Sequence, residues 1–91
     1  MFSILGGVGP HPLKIWMDQK GYSYDYVATL CHKAGRKSTS AKSLEHICEG
    51  RVGTSSRYAK FLAEKVTKGA LHWTQFIDWY DAFRARRRKA A

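Results

Sequence analysis

"STSAKSLEHICEGR", residues 38–51, decides how this chain is read. Taken as a helix at 100° per residue with Leu44 at the centre of its inner face, it places Ile47, Cys48 and Ala41 within about 60° of that centre. Lys42, Glu45, His46 and Glu49 fall on the far side, with Ser43 on a flank. The first turn is almost entirely small and polar. So few apolar anchors, set opposite so many short or hydrogen-bonding side chains, suit a helix whose outer face is meant for a partner. A DNA major groove is such a partner: small residues let the backbone approach, and Lys, Ser, His and Glu carry the donors and acceptors that meet base edges. The competing reading is a plain surface helix with a solvated face.

The rest of the chain supplies further helices. Pro12 suits a first helical position, and Leu13, Trp16 and Met17 follow at helical spacing up to Gly21. Ser23 is a good N-cap for a second helix with Val27, Leu30, Cys31 and Ala34 on one stripe, ending at Gly35. "GRKSTS" links it to the quoted stretch, where Thr39 or Ser40 caps a helix spanning 39–49 and Gly50 stops it. Ser55 or Ser56 starts a fourth helix, with Tyr58, Phe61, Leu62 and Val66 inward and Gly69 as its close. Trp73 staples and Thr74 caps a fifth, whose stripe is Phe76, Ile77, Tyr80 and Phe83, with Trp79 beside it. No segment alternates apolar and polar residues for long, so strands are not expected. The expected fold is all-α: a compact bundle of about five short helices with a helix-turn-helix in it. Residues 1–11 read as a flexible arm, 12–83 as the folded domain and 84–91 as a basic tail.

Composition limits the function. A chain of 91 residues, 44% hydrophobic and with three Trp, five Tyr and four Phe, is one domain able to bury a core without staples. Its net charge of +9 points to an anionic partner, nucleic acid before a membrane surface. Arg84, Arg86, Arg87, Arg88 and Lys89 concentrate much of that charge in the tail. It reads equally as a nucleic-acid arm that adds affinity and salt sensitivity or as a solubilising helix end favoured by the helix dipole. Two cysteines make no disulfide framework and read as thiols of a reducing compartment. No apolar run approaches the roughly 18 residues of a membrane span, and "MFSILGGVGP" lacks the pattern of a signal peptide. A cytoplasmic protein is expected.

Catalysis finds little support. Cys31 and His32 are adjacent and diverge on a helix, and His46 and Cys48 point about 200° apart, so no zinc-ligand spacing exists. The acidic residues are scattered, without the carboxylate cluster or His pair of a nuclease, and "GGVG" lacks the strand and Lys-Ser/Thr of a phosphate loop. No enzyme, metal, cofactor or small-molecule substrate is expected.

"GYSYDYVA" followed by "SAKSLEHICEGR" resembles the helix-turn-helix of the phage Cro and lambda-repressor-like family. Ser23 matches the family's small polar cap, Val27 and Ala28 its apolar–Ala pair, and Leu44, Ile47 and Gly50 its recognition-helix pattern. The resemblance spans roughly residues 12–80. One departure is plain: Ala28 and Leu44 lie sixteen residues apart, a longer spacing than the family's, and Ser38 stands where a turn glycine is usual. Either helix two is longer, reaching Gly35, or "HKAGRK" makes an excursion that sets Lys33, Arg36 and Lys37 beside the groove.

The resemblance implies a sequence-specific, double-stranded DNA-binding transcriptional regulator, a phage-type repressor acting as a homodimer on an inverted repeat in the bacterial cell. Base readout is expected from Lys42, Ser43 and His46, with Thr39 and Ser40 as helpers; Glu45 reads either as an acceptor for cytosine N4 or as the partner of a lysine. Phosphate contacts are expected from helix openings at Ser23 and Tyr24 and at Ser55, Ser56 and Arg57, with Lys33, Arg36, Lys37 and Arg51 adding charge. The aromatic last helix, Trp73, Phe76, Trp79, Tyr80 and Phe83, exceeds what so small a core needs and reads as a dimer interface, or else as the closure of the monomer core. Two other functions fit the same residues: a basic nucleic-acid binder without sequence choice, and a protein-interaction or antitoxin-like module.

Overall fold

Serine side chains start three of the helices. In the computed structural model, which describes residues 9–90 (side chains to Arg86), Ser23, Ser40 and Ser55 each accept a hydrogen bond from the backbone N–H three residues on. They open α2 (Tyr24–Lys33), α3 (Ala41–Cys48) and α4 (Ser56–Phe61). Each bond satisfies one of the four N–H groups that a helix start leaves without a partner. Histidine starts the other two. His11 Nδ1 accepts from the Leu13 N–H at 2.9 Å and opens α1 (Pro12–Lys20). At α5 (Trp73–Ala90) the His72 ring accepts from the Thr74 N–H, while the His72 N–H donates to Gln75 Oε1. Thr74, expected to cap this helix, lies within its first turn.

The described residues form no strand, and the fold is the expected all-α bundle of five helices. α4 is not uniform. It passes into a π-helical turn, Leu62–Val66, in which the Thr67 N–H reaches back five residues to the Leu62 carbonyl. The widened turn places Leu62, Ala63 and Val66 all inside. Leu13 and Met17 from α1, Val27 and Cys31 from α2, Leu44 from α3, Leu62 and Phe76 make the fully buried centre. Burying a side chain of that size is worth about 1.5–3 kcal/mol.

α5 packs on α4 and α1 and uses its aromatic residues within the chain. Phe76, expected at a dimer interface, is 1% exposed and belongs to the core. Trp79 donates from Nε1 to the Gly9 carbonyl at 3.0 Å and stacks on Phe83 at 4.9 Å. Phe83 lies over Gly50 and Tyr80 over Gly53, so closely that a Cβ on either glycine meets a ring. Trp73 carries the Lys60 ammonium over its face at 4.9 Å. Phe76 thus lies in the core, while Trp73, Trp79, Tyr80 and Phe83 make contacts within the chain and stay half-buried. The reason is size: α5 runs from Trp73 to Ala90, long enough to cover both α1 and the turn after α3. It also takes in the last part of the segment read as an arm, since His11 is 2% exposed and sits between Phe76 and Trp79. The earlier arm residues, 1–8, and the side chains of Arg87, Arg88 and Lys89 lie outside the described residues.

Gly50 ends α3 for a definite reason. Its φ is +80°, the Arg51 N–H donates to the His46 carbonyl and the Gly50 N–H to the Ile47 carbonyl. This is the Schellman arrangement, which needs a left-handed residue at that position.

Candidate nucleic-acid interface

α3 is held inward by Leu44 and Ile47, both buried. Lys42 is exposed and makes no ion pair among the described residues. Glu45 and His46 are half-buried beside it. These three remain available at the outer surface. The small polar residues Thr39, Ser40 and Ser43 are engaged within the chain. Ser40 and Ser43 form a capping box, each side chain accepting from the other's backbone N–H at 3.1 Å. Ser43 also donates its single hydroxyl proton to the Ser40 carbonyl at 2.8 Å. The expectation of readout by Ser43 is thereby reduced to acceptor chemistry. Thr39 is a plain correction: it is 4% exposed, its carbonyl accepts from His32 Nε2 at 2.6 Å, and its hydroxyl meets that of Tyr58 at 3.5 Å. It braces the start of α3 from inside, its side chain turned away from the outer face.

Pairings across the bundle show how α3 is oriented. Tyr24, the first residue of α2, lies beside the Cys48 thiol at the end of α3. His32, near the end of α2, meets Thr39 at the start of α3. The two helices run in opposite senses. Thr39 in turn touches Tyr58 in the first turn of α4. The expected phosphate-binding residues thus separate into two groups. Lys33, Arg36, Lys37, Ser55, Ser56 and Arg57 gather toward the start of α3, while Ser23, Tyr24 and Arg51 lie toward its end.

Within these groups, Lys33, Lys37, Ser55, Ser56 and Arg57 are exposed. Ser23 and Ser55 are exposed with their hydroxyls engaged as caps. Arg51 pairs with Glu49 at 2.9 Å, so a phosphate there competes with a carboxylate. Tyr24 is less free than expected: Lys14 sits over its ring at 5.4 Å, and burial, with the neighbouring Cys48, pushes its phenol up to about 12. Burial likewise raises the Cys48 thiol to about 11. Tyr24 is a junction between α1, α2 and α3 before it is a phosphate ligand.

The longer spacing between Ala28 and Leu44 is taken up partly by α2 and partly by a connection, residues 34–40, that leads to α3. α2 runs to Lys33, with Ala34 as its C-cap and Gly35 turning the chain at φ +113°. Residues 36–40 then return to α3. His32 and Tyr58, which hold that return, do not stand out as site residues in the sequence. Neither type at its position carries a signal, because their partners are a backbone carbonyl and a hydroxyl brought near only by the fold.

No family model, curated protein or solved structure matches the chain. Among the described residues, no helix is long and apolar enough to cross a membrane.

Proposed function

We propose that this chain is a sequence-specific double-stranded DNA-binding regulator of transcription that lays α3 in the major groove, one copy per half-site of an inverted repeat. The observation that carries the reading is the placement of basic and N-terminal groups at both ends of a short outward helix. α3 has eight residues, a length of about 12 Å. The major groove is about 12 Å wide, with a phosphate backbone on either side. The stretch from Lys33 to Lys60 also holds Lys33, Arg36, Lys37, Lys42, Arg51, Arg57 and Lys60 against only Glu45 and Glu49. On this reading Lys42 donates to guanine O6 and N7, His46 reads beside it, and Glu45 accepts from a cytosine amino group. The flanking groups hold register without specifying sequence.

Lys42→Ala is the test of direct readout. It is expected to weaken the cognate duplex by about 1–3 kcal/mol, roughly fivefold to 150-fold. On random duplex it is expected to lower affinity only as the loss of one charge does. Equal losses on both, measured by titration at one salt concentration, assign Lys42 to the backbone and remove it from readout.

A further inference from the structure

The connection between α2 and α3 is where this sequence departs from the family it resembles, and it is firmly held. The Arg36 N–H donates to the Cys31 carbonyl at 2.9 Å. His32 ties the Thr39 carbonyl at 2.6 Å, and Thr39 meets the Tyr58 hydroxyl. Tyr58 is itself fixed in the first turn of α4, its N–H donating to the Ser55 cap at 3.2 Å. Over its ring lies the Arg36 guanidinium, 4.1 Å from the centroid. Arg36 is half-buried and has no carboxylate partner among the described residues. A guanidinium stacked by its face keeps the N–H groups of its edge available, and those match a phosphate in a bidentate way.

We infer that Tyr58 is a positioning residue that holds Arg36 ready for a DNA phosphate at the start of α3. The inference rests on the DNA-binding reading and adds a built phosphate site to it. An unrestrained arginine carries about 2 kcal/mol of rotamer entropy that a phosphate contact has to overcome. The stack removes part of that cost before DNA arrives. It also gives the long α2–α3 connection a use: the added residues carry Arg36 across to α4, beside the helix start where the outward face of α3 begins. Lys33, the last residue of α2, and Lys37 flank it in sequence without any acidic residue between them.

The experiment is a double-mutant cycle read by binding to a short mixed-sequence DNA duplex across a salt series. The proteins are the unaltered chain, Arg36→Ala, Tyr58→Leu, Tyr58→Phe and the Arg36→Ala/Tyr58→Leu pair, each checked for unchanged thermal melting. Arg36→Ala is expected to lower the slope of log affinity against log salt by about 0.9, the value for one phosphate. Tyr58→Leu is expected to weaken binding about two- to fivefold, the worth of an exposed cation–π pair, when Arg36 is present, and not at all when it is alanine. Tyr58→Phe keeps the ring and is expected to bind like the unaltered protein. A purely structural Tyr58 lowers affinity equally in both backgrounds, which overturns the inference. An Arg36→Ala protein with unchanged slope overturns it as well while leaving DNA binding intact. Absence of duplex binding by the unaltered chain overturns the DNA reading and this inference together.

Discussion

Gly50→Ala is expected to destabilise the fold by about 2–5 kcal/mol. Two costs add at this position. Gly50 holds φ +80°, where an L-residue with a Cβ loses about 1–2 kcal/mol. The Cβ also runs into the Phe83 ring, and overfilling a packed site costs about 1–3 kcal/mol. Against a typical total of about 5–15 kcal/mol, this is a large fraction. Gly21 separates the two terms. It has φ +73° and nothing within 4 Å of its Cβ position, so Gly21→Ala bears the backbone cost alone. Denaturant unfolding of both variants is the check, with Phe83→Leu added to Gly50→Ala to relieve the collision. Equal losses for the two alanine variants contradict the packing of α5 on the turn after α3. On the proposed DNA-binding function that turn matters because it fixes the end of α3 and the place of Arg51.

The second large effect is in pH. Burial holds the His11 imidazole down at about 4, against an ordinary value of 6.5. The structure explains why the neutral form is required: Nδ1 accepts the Leu13 N–H, and the ring is enclosed by Phe76 and Trp79. A proton on Nδ1 removes the cap of α1 and places a charge in the aromatic cluster. The native state therefore stays unprotonated where the unfolded chain binds a proton. Stability is fully present above about pH 6.5, falls as the pH drops from 6.5 to about 4 and levels off below. The slope is about 1.4 kcal/mol per pH unit, for a total of about 3 kcal/mol. His11→Asn keeps a cap acceptor without the imidazole titration, and is expected to be less stable at pH 7 with a flatter profile between 4 and 6.5. A profile as steep as that of the unaltered chain assigns the acid sensitivity to another group.

These two sites show what the sequence conveyed and what it did not. Helix positions were legible because serine caps, glycine stops and apolar spacing all act within a few residues. Leu44 and Ile47 inside with Lys42 outside followed from the helical period alone, and so did the inward stripe of α1 and most of that of α2, whose last expected member, Ala34, is exposed. What required the fold were the meetings between elements. Histidine is not a favoured N-cap, so nothing near His11 announced that Phe76 and Trp79 would enclose it. Thr39 has the character of a cap residue on an open helix start, and only the approach of His32 and Tyr58 turns it inward. The engagement of Ser43 depends on which of two adjacent residues, Thr39 or Ser40, becomes the cap, and the sequence leaves that choice open. The aromatic residues of α5 exceed the needs of the core on paper because the glycines that receive Phe83 and Tyr80 are far away in the chain.

The measurement that bears most directly on the central claim is selection from random duplex DNA at about 150 mM salt, near physiological ionic strength, followed by sequencing of the retained strands. The account predicts an enriched motif arranged as an inverted repeat, with half-sites about one helical turn apart. It also predicts that the Lys42→Ala protein ceases to select the guanine that Lys42 reads while keeping the rest of the motif. Retention without any enriched sequence, or no retention at that salt, contradicts it.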